Sequence, residues 1–178
     1  MDTDIAMKSL FTAIYEQIKP TTDNLQVFSQ DRTAFIIRSA SPKMFSKFIK
    51  SIKEVNPDIF LYILTHSRDK EDVIKICGED CEIIEYTHTG SYDVEYLKDK
   101  LQYIKSKSID RFGLLYNNRY GIDYENVLEI MSSITEKELY VFNSYWELLR
   151  IDNPNLHIKS LKLMKAMSEW HWENIESR

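Results

Sequence analysis

An α/β fold follows from three features of the chain. Five short apolar runs occupy residues 34–38, 59–64, 83–86, 112–116 and 139–142, a small polar cluster closes each run, and a helix-like segment follows four of them. The clusters are Ser39-Ala40-Ser41, Thr65-His66-Ser67-Arg68, Thr87-His88-Thr89-Gly90, Asn117-Asn118-Arg119 and Asn143-Ser144. Strands alternating with helices build a parallel sheet, and all the clusters then fall along one edge of it. The expected architecture has three layers: a five-stranded, mainly parallel sheet with helices on both faces. In such open sheets ligands bind outside the carboxyl ends of the strands.

Taken in order, residues 4–18 carry Leu10, Phe11, Ile14, Tyr15 and Ile18 at the spacing of one helical face. Asp2, Thr3 and Asp4 suit an N-cap, and Pro20 ends the element. Between residues 21 and 32 the chain is polar, with Leu25, Val27 and Phe28 as an edge-strand candidate. The first core strand, 33–38, runs into Ser41-Pro42, where Ser at N-cap and Pro at N1 start a helix. That helix has an apolar stripe of Met44, Phe45, Phe48, Ile49, Ile52 and Val55, with lysines 43, 47, 50 and 53 opposite. Asn56-Pro57 stops it.

The second strand, 60–64, is continuously apolar, as a central parallel strand covered on both faces requires. A short helix through Val73, Ile74 and Ile76 ends at Gly78, a natural position just past a helix C-terminus. The third strand is 83–86, followed by a helix on Val94, Leu97, Leu101 and Ile104. Residues 109–116 supply the fourth strand, Tyr124, Val127, Leu128, Met131 and Ile134 the next helix, and 139–142 the fifth strand. The stretch Tyr145-Trp146-Glu147-Leu148-Leu149 reads as a short helix or an irregular packed segment. A last helix spans 156–176 with Leu161, Met164, Met167, Trp170 and Ile175 apolar. Its lysines precede its glutamates, against the helix dipole, so packing must hold it. Trp170, with Leu163 and Met167, is expected to dock on the core or to form a homodimer or partner surface. The whole reads as one Rossmann-like domain over 1–178: an N-terminal helix and edge strand in 1–31, a βα core in 33–142 and a C-terminal helix in 155–178.

Composition narrows the function. At 178 residues the chain has length for one real core. A formal net charge of −5 argues against broad nucleic-acid binding, which needs a basic surface. No apolar run approaches the ~20 residues that span a bilayer, and the acidic start lacks the form of a secretory signal. Cys77 and Cys81, in Cys-Gly-Glu-Asp-Cys, match neither a redox Cys-x-x-Cys nor a zinc knuckle. They read as reduced thiols in a cytoplasmic protein.

No complete catalytic signature is present, so the catalytic residues stay unassigned. Ligand-binding candidates come from the strand-end clusters: Ser39, Ser41, His66, Arg68, Thr87, His88, Thr89, Gly90, Asn117, Asn118 and Arg119. Hydroxyls and a glycine between strand and helix, as in 87–92, suit a phosphate cradle. Amides, a guanidinium and phenols, as in 116–121, suit a sugar or a base. Arg119 is the preferred anion contact, because its planar fork fits phosphate or carboxylate. His66 and His88 are placed to carry protons at neutral pH, but neither has an evident orienting carboxylate. No histidine has the companions of a metal site.

Thr87-His88-Thr89-Gly90-Ser91-Tyr92 resembles the Thr-x-Thr-Gly-x-Thr phosphate loop of flavodoxins, yet it follows the third strand and Tyr92 replaces the last hydroxyl. No cofactor is therefore assigned. An aspartate ending the third strand, as in receiver domains, is missing, and so is the Gly-x-Gly-x-x-Gly of dinucleotide-binding domains. Phe35-Ile36-Ile37-Arg38-Ser39-Ala40-Ser41, an amphipathic helix and Asn56-Pro57-Asp58-Ile59 resemble the opening of heptosyltransferase-like GT-B glycosyltransferases. The resemblance runs over about residues 33–150, the amino-terminal half of such an enzyme. It implies a domain that binds a nucleotide, a sugar or a phosphorylated metabolite and needs a second half for full activity. The family's Gly-Asp after the first strand, with its catalytic aspartate, is replaced near Pro42-Lys43. The competing class is a non-enzymatic protein-interaction module on the same scaffold; a flavodoxin-like redox domain is a third.

Overall fold

The computed structural model describes residues 18–20 and 24–176, together with the single positions Ile5, Ser9 and Thr12. Seven strands make one sheet: β1 (Ile18–Pro20), β2 (Thr33–Ile37), β3 (Phe60–His66), β4 (Cys81–Tyr86), β5 (Arg111–Tyr116), β6 (Leu139–Asn143) and β7 (Leu148–Ile151). The five helices described are α1 (Pro42–Val55), α2 (Lys70–Cys77), α3 (Val94–Lys105), α4 (Glu125–Ile134) and α5 (Pro154–Glu176). The sheet order is β1-β7-β6-β5-β2-β3-β4. Strands β2 to β6 are mutually parallel, as expected from the five apolar runs. In chain order they stand 3-2-1-4-5, the doubly wound arrangement that reverses direction between β2 and β5.

Two strands were not expected. Residues 148–151 pair antiparallel with β6, so the segment after Trp146 is a strand and neither a helix nor irregular. Asn143 and Trp146 close the turn between them, with the Trp146 amide donating to the Asn143 carbonyl at 3.0 Å. Ile18–Pro20 forms the outer strand on β7, so Ile18 opens a strand instead of closing the first helix. Leu25, Val27 and Phe28 belong to a 3-10 turn, Asn24–Phe28, and not to an edge strand. Their burial explains the turn: Phe28 is fully covered, with its ring edge-on to Phe48 and Tyr140, which an edge strand would not achieve. The rest of the helix anticipated over 4–18 lies outside the described residues.

The sheet divides the core into two layers. On one face Phe45, Phe48, Ile49 and Ile52 of α1 and Val73 of α2 pack on Ala34, Ile36, Leu61 and Ile63. On the other, α3, α4 and α5 cover Phe35, Ile37, Leu64, Leu114 and Val141. Gly113 allows the first layer to close: a Cβ there would lie 2.8 Å from Ile36 Cδ1 and 3.7 Å from the Phe48 ring. The outer strand β4 is guarded by charge. Lys70 pairs with Glu85 at 2.6 Å, and Lys100 donates to the Glu85 backbone carbonyl.

Helix α5 docks on its own chain. Ile158, Leu161 and Met164 are buried in the second layer, while Leu163 is exposed on the opposite side. This burial retains a helix whose charges are set against its dipole, and Lys162 pairs with Glu129 at 2.5 Å and Lys165 with Asp123 at 2.7 Å at its solvent-facing rim. The Trp170 side chain lies outside the described residues. His157 is fully buried in α5, and neither ring nitrogen has a hydrogen-bond partner. Burial pushes its pKa down to about 4. The folded protein therefore holds a neutral imidazole that the unfolded chain, at about 6.5, protonates more readily. This stabilisation is complete above pH 6.5 and is lost as pH falls toward 4, by up to about 3 kcal/mol. Chemical denaturation of the parent and His157→Leu between pH 7 and 4 should show the variant losing clearly less stability; parallel curves would disprove the buried neutral state.

Candidate functional site

The loops after β2, β3, β4 and β5 meet above the point where the strand order reverses, and they enclose a crevice of about 570 Å³. Its floor is the β2–α1 loop. Ser41 caps α1, its Oγ accepting from the Met44 amide at 3.4 Å, and Pro42 takes the first helical position. The Ser41 amide donates to Asn117 Oδ1 at 3.1 Å. Ser39 Oγ donates to the Leu115 carbonyl at 2.7 Å and accepts from the Leu115 amide at 3.2 Å. These bonds tie the ends of β2 and β5 together where no helix crosses between them.

The β3 end contributes His66, Arg68 and Asp69. His66 Nε2 lies 2.8 Å from the Gly90 carbonyl, which can only accept, so Nε2 donates to it. The ring packs against Tyr92 at 4.5 Å and Tyr86 at 5.2 Å. Tyr92 comes from the β4–α3 loop, where Asp93 caps α3 through the Glu95 amide. The Tyr92 hydroxyl donates to the Arg38 carbonyl at 3.0 Å, and burial holds its pKa well above the usual phenol range.

Arg38 is the residue that sequence reasoning missed as a site group. It reads as the last residue of a strand, and its amide does continue the ladder to the Leu64 carbonyl. Its side chain is only 6% exposed, lies over the Phe45 ring and lines the crevice. Nη1 is 2.5 Å from Asp69 Oδ2, and Nε is buried with no hydrogen-bond partner. Arg68, largely exposed, brings Nε to 3.7 Å from the same oxygen. The available signal was a basic residue between a central strand and a small-residue loop.

The far wall is α4 and the loop before it. The Asn126 side-chain amide donates to the Tyr92 carbonyl at 2.9 Å, and the Tyr124 hydroxyl accepts from the Asn117 amide at 2.9 Å. Asp123, in a left-handed conformation, lines the crevice while paired to Lys165. The wall polar groups are thus largely engaged with one another, and Arg38, Arg68 and His66 are the basic side chains that line the crevice.

Of the sequence candidates, Ser39, Ser41, His66, Arg68 and Asn117 line this crevice. Gly90 touches it through His66, and Thr87, His88 and Thr89 sit exposed on the outer part of their loop, with His88 stacked on Tyr96 at 3.7 Å. Asn118 shapes its own turn: Oδ1 accepts from the Tyr120 and Gly121 amides, and Nδ2 donates to the Ile122 carbonyl. Arg119 lies outside the crevice lining, its guanidinium gripped through Nε and Nη2 by Glu147 at 3.2 and 2.8 Å. That pairing holds the Glu147 carboxyl below its usual range. Cys77 is buried and free, and Cys81 is partly covered and free; desolvation raises both thiols.

Comparison with protein-family models, with curated proteins and with solved structures finds no significant match in any of the three.

Two stability outcomes follow from this geometry. Ser39→Ala removes both bonds to Leu115 and should cost about 1–3 kcal/mol in urea unfolding; an unchanged midpoint would mean that the β2–β5 junction does not depend on it. Gly121 and Gly90 both have positive φ, but only at Gly121 would a Cβ overlap a ring, that of Tyr116. Gly90→Ala should cost about 1–2 kcal/mol from backbone strain alone, and Gly121→Ala about 2 kcal/mol more from overpacking. Equal losses would contradict the Tyr116 contact.

Proposed function

We propose that this chain is a glycosyltransferase-like domain, equivalent to one half of a GT-B enzyme, that seats a phosphorylated sugar or a nucleotide in the switch-point crevice. The observation that carries the reading is the convergence of Arg38, Arg68 and His66 from two neighbouring strand ends into one cavity. Guanidinium groups are the side chains best matched to phosphate oxygens. A volume near 570 Å³ lies within the range of small-molecule sites. The resemblance of 33–59 to the heptosyltransferase-like opening favours a sugar over other phosphorylated metabolites. His66 brings an imidazole to the crevice, while the aspartate of that family has no counterpart after β2. The domain accordingly acts as a binding half, with complete transfer chemistry depending on a second half supplied elsewhere.

A thermal-shift panel of nucleotides, nucleotide-sugars and sugar phosphates tests the reading, because a ligand that binds only the native state raises its melting temperature. At least one phosphorylated compound should stabilise the parent. Arg68→Ala should weaken that compound by about 1.5–3 kcal/mol, the scale of a charged hydrogen bond, with little change in unliganded stability. Arg119→Ala should leave the affinity unchanged. No shift with any phosphorylated compound, or a loss confined to Arg119→Ala, would overturn the assignment.

A further inference from the structure

We propose that Asp69 is a built-in counter-ion that occupies the seat of the ligand's anionic oxygen, so that the crevice favours a dianionic terminal phosphate over monoanionic groups. The proposal rests on the phosphate reading above and deepens it to a substrate class and a selection rule.

Two arginines from different loops approach a single atom, Asp69 Oδ2: Arg38 Nη1 at 2.5 Å and Arg68 Nε at 3.7 Å. A point where two guanidinium groups meet is where an anionic oxygen is most stable. Arg38 cannot relax toward water, since its side chain is only 6% exposed, and a buried cation without an anion is strongly disfavoured. Its Nε, buried and unpartnered, retains a donor that the carboxylate does not use.

The second observation concerns what Asp69 forgoes. It ends the 3-10 turn Ser67–Asp69 that runs directly into α2, with helical backbone angles, and its side chain makes no capping hydrogen bond. Its carboxylate is turned to the arginines instead. The side chain is about one quarter exposed, so it can swing toward water when displaced, and a ligand anion competes with it for the place between the arginines.

Charge then sets the selection. A monoanion replacing Asp69 exchanges one negative charge for another and leaves the pair of arginines with the same excess. A terminal phosphate with both charges developed, as above its second pKa near 6, neutralises both guanidinium groups. Such a group also has three oxygens to reach Nε of Arg38 as well as Nη1.

The test uses the full chain at pH 8 and fixed low ionic strength, titrated calorimetrically with methyl phosphate (a dianion) and dimethyl phosphate (a monoanion). The parent should bind methyl phosphate about tenfold or more tightly than dimethyl phosphate, and Asp69→Asn should bind methyl phosphate about tenfold tighter than the parent while keeping the preference for the dianion. Asp69→Ser, smaller and without charge, provides the same comparison if the amide perturbs folding. Equal binding of the two esters by the parent, or unchanged or weaker methyl phosphate binding in both variants, overturns the counter-ion role and leaves the phosphate site standing. Absence of binding in the parent and in both variants removes the anion seat, and the phosphate reading falls with it.

Discussion

Strand β2 meets β3 through the α1 crossover, but it meets β5 only after β3, α2, β4 and α3 have been laid down on its other side. The β2–β5 pairing is therefore the longest-range commitment in the parallel sheet, and the crevice exists because the chain reverses there. It is fastened at both ends. At the start of the strands, Asp110 Oδ2 accepts from the Arg32 amide at 2.8 Å and the Thr33 amide at 3.1 Å. Burial pushes the Asp110 carboxyl up, but those amides, the Thr33 hydroxyl and Lys137 together more than offset it, leaving it below the usual carboxylate range. At the other end, Ser39 and Asn117 hold the two loops that would otherwise part around the cavity. Between them the ladder runs from Ala34 opposite Arg111 to Ile37 opposite Leu114.

That arrangement separates the work of the crevice residues. Asn117, Asn126, Tyr124 and Tyr92 use hydrogen bonds to join loops and fix the shape of the walls. The charged groups sit on β3's exit and on Arg38, where two adjacent strand ends bring them within contact of one another although Arg38 and Asp69 are far apart in sequence. Low exposure makes the Arg38 charge consequential, because a guanidinium shielded from water interacts with its neighbours more strongly than one at the surface.

The five parallel strands were legible because each is an apolar run ended by turn chemistry, and such runs carry their own boundaries. The capped start at Ser41-Pro42 was equally local. The outer strands were not legible for different reasons. Residues 148–151 follow Tyr145 and Trp146, and nothing in the sequence reveals that Trp146 takes a positive φ and lets the chain fold back on β6. Ile18–Pro20 is too short to show alternation, and its proline suggested a helix end. At the site, strand-end polar clusters pointed to the edge of the sheet where the crevice lies. Which members face the crevice depends on pairings across the fold: Glu147 draws Arg119 to the β6–β7 turn, and Asn118 is consumed by its own loop. Arg38 escaped because its partner, Asp69, belongs to another strand's exit.

The two rims of the sheet also limit how the molecule can associate. On one side Lys100 already occupies the Glu85 carbonyl, and the Lys70–Glu85 pair lies beside it, so an approaching backbone would have to displace a side chain and desolvate charges before its first hydrogen bond. On the other, Pro20 contributes a ladder position without an N–H. Among the described residues neither rim presents an unbroken row of donors and acceptors, so lateral growth by strand addition, the usual route from an open sheet to fibrous aggregates, is discouraged there. Association through the described residues therefore relies more on side-chain complementarity at the helical faces and loop surfaces than on main-chain templating.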